Sequence, residues 1–278
     1  MRRLAFYGKG GIGKSTVSSN IAYLYKASGK NVLQIGCDPK HDSAQHHIPA
    51  DDIITAMDVF KERNLDDASD VFESVMMTGK NGVHCIEAGG PEPGTGCVGR
   101  AISLLLDLFD LDSGALDVYD VVIYDVLGDV VCGGFATPIR KGHAEELYVV
   151  SSGEPMSLYA ANNIVSGFVN LASEGGCRIA GLVGNLRGMT NEVENLTRFA
   201  EAINLPLVAT LPRNDLHMIA EAKGGTVCEM YPDSDPAQAL SSLHNIIENT
   251  GSSASESPTP MSDKEWRGFL NAILESMS

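Results

Sequence analysis

The stretch Gly8-Lys9-Gly10-Gly11-Ile12-Gly13-Lys14-Ser15-Thr16 constrains this chain more than any other. It follows the apolar run Leu4–Tyr7 and opens a helix predicted over Ser15–Ala27. Strand, glycine-rich loop and helix in that order carry the pattern G-x-x-x-x-G-K-[ST], which cradles nucleotide phosphates. Glycines let the backbone turn its N–H groups toward phosphate oxygens, and the helix N-terminus adds partial positive charge there. Lys14 is placed to reach the β- and γ-phosphates, and the Ser15 hydroxyl to ligate Mg²⁺. A glycine-rich turn without a ligand is the plain alternative, and the completeness of the motif argues against it. One such lysine serves one nucleotide. Lys9, a second one, is therefore free to act elsewhere, for instance on a nucleotide held by a second subunit.

A strand–loop–helix start predicts an α/β chain, and 278 residues with 44% hydrophobic content supply the core for it. The expected fold is a P-loop NTPase: a mostly parallel, twisted sheet with helices on both faces and a C-terminal helical tail. The net charge of −16 argues against nucleic acid as a partner, since phosphate neutralisation needs a basic face. Met1-Arg2-Arg3 leads straight into a strand, without a signal peptide, and no apolar run has the length of a membrane span. A cytoplasmic protein without membrane contact is expected. Its six cysteines then read as thiols or metal ligands, not disulfides.

Further strands are predicted over Lys30–Gly36, Gly82–Glu87, Val118–Tyr124, Leu147–Ser151, Arg178–Gly184 and Pro206–Leu211, with Gly29 capping the first helix. Helices are predicted between them, over Ala101–Phe109, Pro155–Ala172 and Asn191–Ile203, and two short ones within Ile53–Met77. In such sheets ligands collect at the carboxyl ends of strands. Cys37-Asp38-Pro39-Lys40-His41-Asp42 lies at one such end, where Asp38 and Asp42 can orient a water or contact Mg²⁺ and Lys40 can meet phosphate. A solvated loop is the alternative. His41, His46 and His47 fit no compact metal site and read as exposed loop histidines. Asp125 ends an apolar strand, the usual Mg²⁺-side position opposite a P-loop. Asn185 and the segment after Leu211, Pro212-Arg213-Asn214, end two further strands, where an adenine can be read by amide and backbone groups.

Two cysteines stand apart. Cys97 follows Gly89-Gly90-Pro91-Glu92-Pro93-Gly94-Thr95-Gly96, and Cys132 precedes Gly133-Gly134. Glycine density suits a thiolate approached by backbone N–H groups. A cubane iron–sulfur cluster takes four thiolates, and a two-fold dimer contributing Cys97 and Cys132 twice would supply them on its axis. Two unrelated thiols are the plain alternative. Zinc is a rival, although neither cysteine belongs to a C-x-x-C knuckle. Cys85 reads as a small core residue, and Cys177 and Cys228, which have no glycine cradle, as structural.

Alternation of strands and helices runs to about Asn249 and predicts one ATPase domain over 1–249, a flexible linker over 250–260 and an amphipathic helix over 261–278. Ser262 and Glu265 form a capping box for that helix. Its apolar stripe, Trp266, Phe269, Leu270, Ile273, Leu274 and Met277, covers either its own body or a second subunit.

The segments Tyr7–Thr16, Gly36–Lys40, Gly89–Gly94, Gly96–Arg100 and Tyr124–Phe135 resemble the nitrogenase iron protein and its nitrogenase-like relatives. That resemblance implies a homodimeric, ATP-dependent electron carrier holding one [4Fe–4S] cluster between its subunits, reduced by ferredoxin or flavodoxin and passing electrons to a nitrogenase-like catalytic heteromer. It implies Cys97 and Cys132 as cluster ligands and Lys14, Ser15 and Asp125 as the phosphate and Mg²⁺ residues. Lys9 would be the lysine that crosses the dimer, and Asp38 and Asp129 the residues of water activation and switching. Asn185 and Pro212, Arg213 and Asn214 would touch adenine, and Arg100 would be an exposed docking residue. The stretch His41–His47 departs from the nitrogenase pattern, and a histidine after Asp-Pro-Lys is similar to the tetrapyrrole-reducing relatives. Gly99-Arg100 is closer to nitrogenase than to protochlorophyllide reductase. The partner then acts on dinitrogen, a tetrapyrrole or a sulfur compound. A partitioning or metal-delivery P-loop ATPase is the other class, which would lack the glycine-cradled cysteine pair.

Overall fold

The structure, a computed structural model, describes residues 1–38, 42–62, 68–90, 99–111, 114–128, 136–140, 142–175, 177–250 and 257–276. In chain order, β1 is Arg2–Gly8, α1 Lys14–Ala27, β2 Val32–Gly36, α2 Ala56–Glu62, α3 Ala68–Val75, β3 Met77–Thr78 and β4 His84–Glu87. Then come α4 Gly99–Leu111, β5 Val121–Asp125, α5 Thr137–Arg140, β6 Glu146–Ser151, α6 Pro155–Gly175, β7 Arg178–Asn185, α7 Glu192–Ala202 and β8 Leu207–Leu211. α8 (Asp215–Ala222), α9 (Val227–Met230), α10 (Asp235–Asn249) and α11 (Asp263–Ser276) close the chain. The sheet order is β3-β4-β2-β5-β1-β6-β7-β8, and every pairing is parallel except β3 with β4.

The apolar runs of the central strands follow from burial on both faces. Along β1, Ala5 and Tyr7 enter one core and Leu4 and Phe6 the other, because successive side chains point to opposite faces. The first core is closed by α4, α6, α7 and α11, through Ile102, Leu105, Phe168, Phe199 and Ile273. The second is closed by α1 and α10, through Val17, Ile21, Tyr25, Leu240 and Leu243. Cys37, Cys85, Cys177 and Cys228 are free thiols buried in these layers.

α11 covers its own body. The capping box is formed: the Ser262 N–H donates to Glu265 Oε2 at 2.8 Å and the Glu265 N–H to Ser262 Oγ at 3.4 Å. Trp266 and Ile273 are buried, and Phe269 meets Phe199 edge-on at 6.0 Å. Leu274 departs from the expected stripe and is exposed, while Met277 lies outside the described residues. Within the segment expected as a linker, residues 251–256 lie outside the described residues; beyond them the Thr259 N–H donates to the Ile203 carbonyl at 2.7 Å.

Candidate functional site

The glycine-rich loop bends as the motif requires. Gly11 (φ 69°) and Gly13 (φ 97°) are left-handed, a region that glycine enters without penalty. A Cβ on Gly8 would collide with the Val150 carbonyl, and one on Gly128 with the backbone of Gly8. Gly13 is also the N-cap of α1 and caps it with no side chain, so the first N–H groups of that helix face the loop with no side-chain acceptor. Lys14 is buried, its Nζ 3.3 Å from the Lys9 carbonyl, and Lys9 itself is exposed. Ile12 is buried; Ser15 and Thr16 are half-buried on the first turn of α1.

A cavity of about 270 Å³ runs from Gly11, Gly13 and Thr16 to the ends of β7 and β8 and the exposed face of α8. Asn185, Pro212, Arg213 and Asn214 all line it, so the two halves of the expected nucleotide site meet. Asn185 Nδ2 donates to the Ile12 carbonyl at 2.6 Å, and the Arg187 guanidinium donates to the Gly11 carbonyl. Asn214 caps α8, accepting the Leu216 N–H at 2.9 Å. His217, Met218 and Glu221 complete the wall. None of these three was expected from the sequence; their spacing on one helix next to Asn214 was the available signal.

Glu192 fixes the wall from behind. Its buried carboxylate accepts the N–H groups of Arg187 (2.8 Å), Gly188 (2.9 Å), Met189 (3.1 Å) and Gly153 (3.2 Å). One side chain therefore ties the loop after β7 to the loop after β6.

On the phosphate side, Asp125 ends β5 with 3% exposure, and its Oδ1 has no hydrogen-bond partner among the described residues. A buried carboxylate oxygen left bare is costly unless something binds it. Asp38, half-buried, follows Cys37, whose N–H donates to the Asp125 carbonyl at 2.9 Å. Lys40, Asp129, Cys97 and Cys132 lie outside the described residues, and so does the side chain of Arg100, whose backbone begins α4.

His46 and His47 correct the expectation of exposed loop histidines: both are buried. His47 Nε2 meets Gln34 Oε1 at 3.1 Å and its Nδ1 meets Asn81 Nδ2 at 2.9 Å. Gln34 Nε2 in turn donates to Ser19 Oγ at 2.8 Å and Ser43 Oγ at 2.7 Å. His47 is thus part of a polar network joining α1, β2 and the segment after Asp42. Burial pulls His47 down to about 3, so it is neutral at pH 7. His41 lies outside the described residues.

Comparison with known proteins bears on this site. The family of 4Fe-4S iron sulfur cluster binding proteins designated NifH/frxC matches residues 2–276. The chain belongs to that family. It is 44% identical over 271 residues to nitrogenase iron protein 2 of Methanothermobacter thermautotrophicus, covering 97% of either chain. The NifH/frxC match spans both cores and α11. Among solved structures, the cell division ATPase MinD of Pyrococcus furiosus superposes with a TM-score of 0.67 at 21% identity, covering 89% of this chain and 99% of that one. The septum site-determining protein MinD of Pyrococcus horikoshii, complexed with Mg-ADP, gives 0.68 at 20% identity, covering 90% of this chain and 97% of that one. These likenesses establish the P-loop NTPase fold.

Burial keeps the four described thiols protonated. Burial pushes Cys37 and Cys85 well above the ordinary thiol range, and Cys177 and Cys228 up to about 12. Ligation needs a thiolate.

Proposed function

We propose that the protein is the ATP-dependent electron-transfer component of a nitrogenase-like system, working as a homodimer with one [4Fe–4S] cluster held by Cys97 and Cys132 of each subunit. The cluster, when bound, supplies one-electron chemistry. The observation that carries the reading is the cleft that joins the P-loop to Asn185 and Pro212–Asn214 in a chain of this family. Lys14 and the N–H groups opening α1 bind the phosphates of MgATP, and Ser15 and Asp125 hold Mg²⁺. Asn185, Pro212, Arg213 and Asn214 orient the base. Lys9, exposed at the loop, reaches the phosphates of the neighbouring subunit. Asp38 and Asp129 orient the attacking water and report loss of the γ-phosphate, and Lys40 steadies it. Asp125 is seven residues before Cys132, so the loop that feels the nucleotide is continuous in sequence with a cluster ligand.

Arg100 docks the catalytic heteromer, which acts on dinitrogen, a tetrapyrrole or a sulfur compound. Ferredoxin or flavodoxin is the donor. The ATPase body spans 1–249, tethered by 250–260 to the helix of 261–278. The setting is the cytoplasm, without nucleic acid or membrane as partner; among the described residues no helix is long and apolar enough to cross a membrane.

The test is iron chelation on anaerobically purified protein. MgATP should speed iron removal by a chelator in the wild type and leave Lys14→Ala unchanged, with equal iron at the start. An identical chelation rate with and without MgATP in the wild type would refute the coupling.

A further inference from the structure

Gly36, at the end of β2, is in register with Glu87 on β4 and with Asp125 on β5. Residues abreast in a parallel sheet project to the same face. The outer two are two strand spacings apart, roughly 10 Å, and would ordinarily be separated by a side chain on β2. Here the middle residue has none. A Cβ on Gly36 would overlap the Glu87 carboxyl group, so that carboxyl lies over Gly36, on the side toward Asp125.

Glu87 is fully buried. Its Oε1 accepts the Ala44 N–H at 2.6 Å, and its Oε2 has no hydrogen-bond partner among the described residues. Burial, with Asp125, Asp42 and Asp38 nearby, pushes the carboxyl well above the usual carboxylate range, against the opposing pull of the Ala44 N–H. Ala44 starts the short 3-10 turn Ala44–His46, two residues after Asp42. Beyond Glu87, the Ala88 N–H donates to the Gly36 carbonyl at 2.9 Å, and Gly89 turns with φ 69° against Thr55. A buried carboxyl with a bare oxygen is unfavourable for folding alone. Its place, between the segment after β2 and the end of β5, accounts for its presence.

We infer that Glu87 is a positioning residue for nucleotide recognition: by clamping the Ala44 N–H over Gly36, it holds Asp42, two residues before Ala44, and Asp38, two residues after Gly36, near Asp125. It touches no substrate and acts through Ala44. The inference rests on the nucleotide site proposed above and adds to it a carboxyl from β4. No acid at this position was singled out from the sequence.

The experiment compares full-length wild type, Glu87→Leu and Glu87→Gln by calorimetric titration with MgATP and with MgADP, and by amide exchange of the peptide containing Ala44. Leucine fills the slot without an acceptor, and replacing a buried carboxyl by an apolar side chain of similar size is commonly neutral or stabilising. The Glu87→Leu protein is therefore expected to fold, with exchange in β1 and β5 unchanged. Its preference for MgATP over MgADP should fall about tenfold, the worth of one hydrogen bond to a carboxyl group, and Ala44 should exchange faster by a similar factor. Glutamine keeps an acceptor for Ala44 and should restore both. If Glu87→Leu folds and keeps the wild-type preference, Glu87 is a filler of the core and the inference is overturned, with the nucleotide site intact. If the wild type binds neither nucleotide, the site itself is refuted and the inference falls with it.

Discussion

At the amino ends of β1, β6 and β7, Glu146 holds Arg2 at 3.0 Å and Arg178 at 3.1 Å, and Arg2 reaches Glu248 at 3.0 Å. Tyr148 donates its hydroxyl to Glu146 as well, at 2.9 Å. At the carboxyl ends of β4 and β5, Glu87 and Asp125 are more deeply buried, yet each leaves an oxygen with no hydrogen-bond partner among the described residues. Acids thus stand at both ends of one sheet. Where charge is matched within the chain, it serves the fold; at the other end, on the proposal above, Asp125 is held for a ligand and Glu87 positions the residues around it through Ala44. Open parallel sheets place ligands at the second kind of end.

The contrast can be broken from either side. The largest effect is expected at the amino end: Glu146→Ala strands half-buried Arg178, leaves Arg2 only Glu248 as a carboxylate partner, and should cost about 3 kcal/mol of stability, read by urea denaturation, with MgATP affinity unchanged. A matching loss of nucleotide affinity would erase the division between the two ends. Asp125→Asn should do the reverse. MgATP-dependent responses should weaken about a hundredfold, while the urea midpoint holds or rises, because a bare buried carboxylate is replaced by a neutral amide. A large drop in that midpoint would show that Asp125 is matched within the fold after all.

A smaller effect sharpens the boundary between the two regimes. His47 is neutral when folded, near 3, against 6.5 when unfolded. The unfolded chain therefore binds the proton first. The stability that His47 contributes is full above pH 6.5 and is lost as pH falls from there toward 3. Between pH 7 and pH 5 the loss is about 2 kcal/mol. His47→Gln should lack that part of the acid sensitivity, and an unchanged stability–pH profile would contradict its burial.

Much of this was legible because it is local. Loop and helix start are written in consecutive residues, and each strand end, Asp125 included, falls where an apolar run meets polar residues. The capping box at Ser262 and Glu265 is equally local. The missed features depend on neighbours across the sheet. His46 and His47 read as solvated because their segment is polar; Gln34, hidden in a strand, gives His47 a buried partner. Glu87 ends its strand just as Asp125 does, but its direction is set by the missing side chain of Gly36 on the next strand. Glu192, in the first turn of α7, was not singled out from the sequence, and it collects N–H groups from two loops that only the fold brings together. Leu274 kept helical spacing with Trp266 and Ile273, but the body that α11 covers ends before it.

The most direct measurement is iron and acid-labile sulfide on protein purified without oxygen, for the wild type, Cys97→Ser and Cys132→Ser. The account predicts about four irons and four sulfides per dimer, lost in either variant while MgATP still binds. A wild type that binds MgATP yet holds no iron after reconstitution, or a serine variant that keeps its full iron, would contradict it.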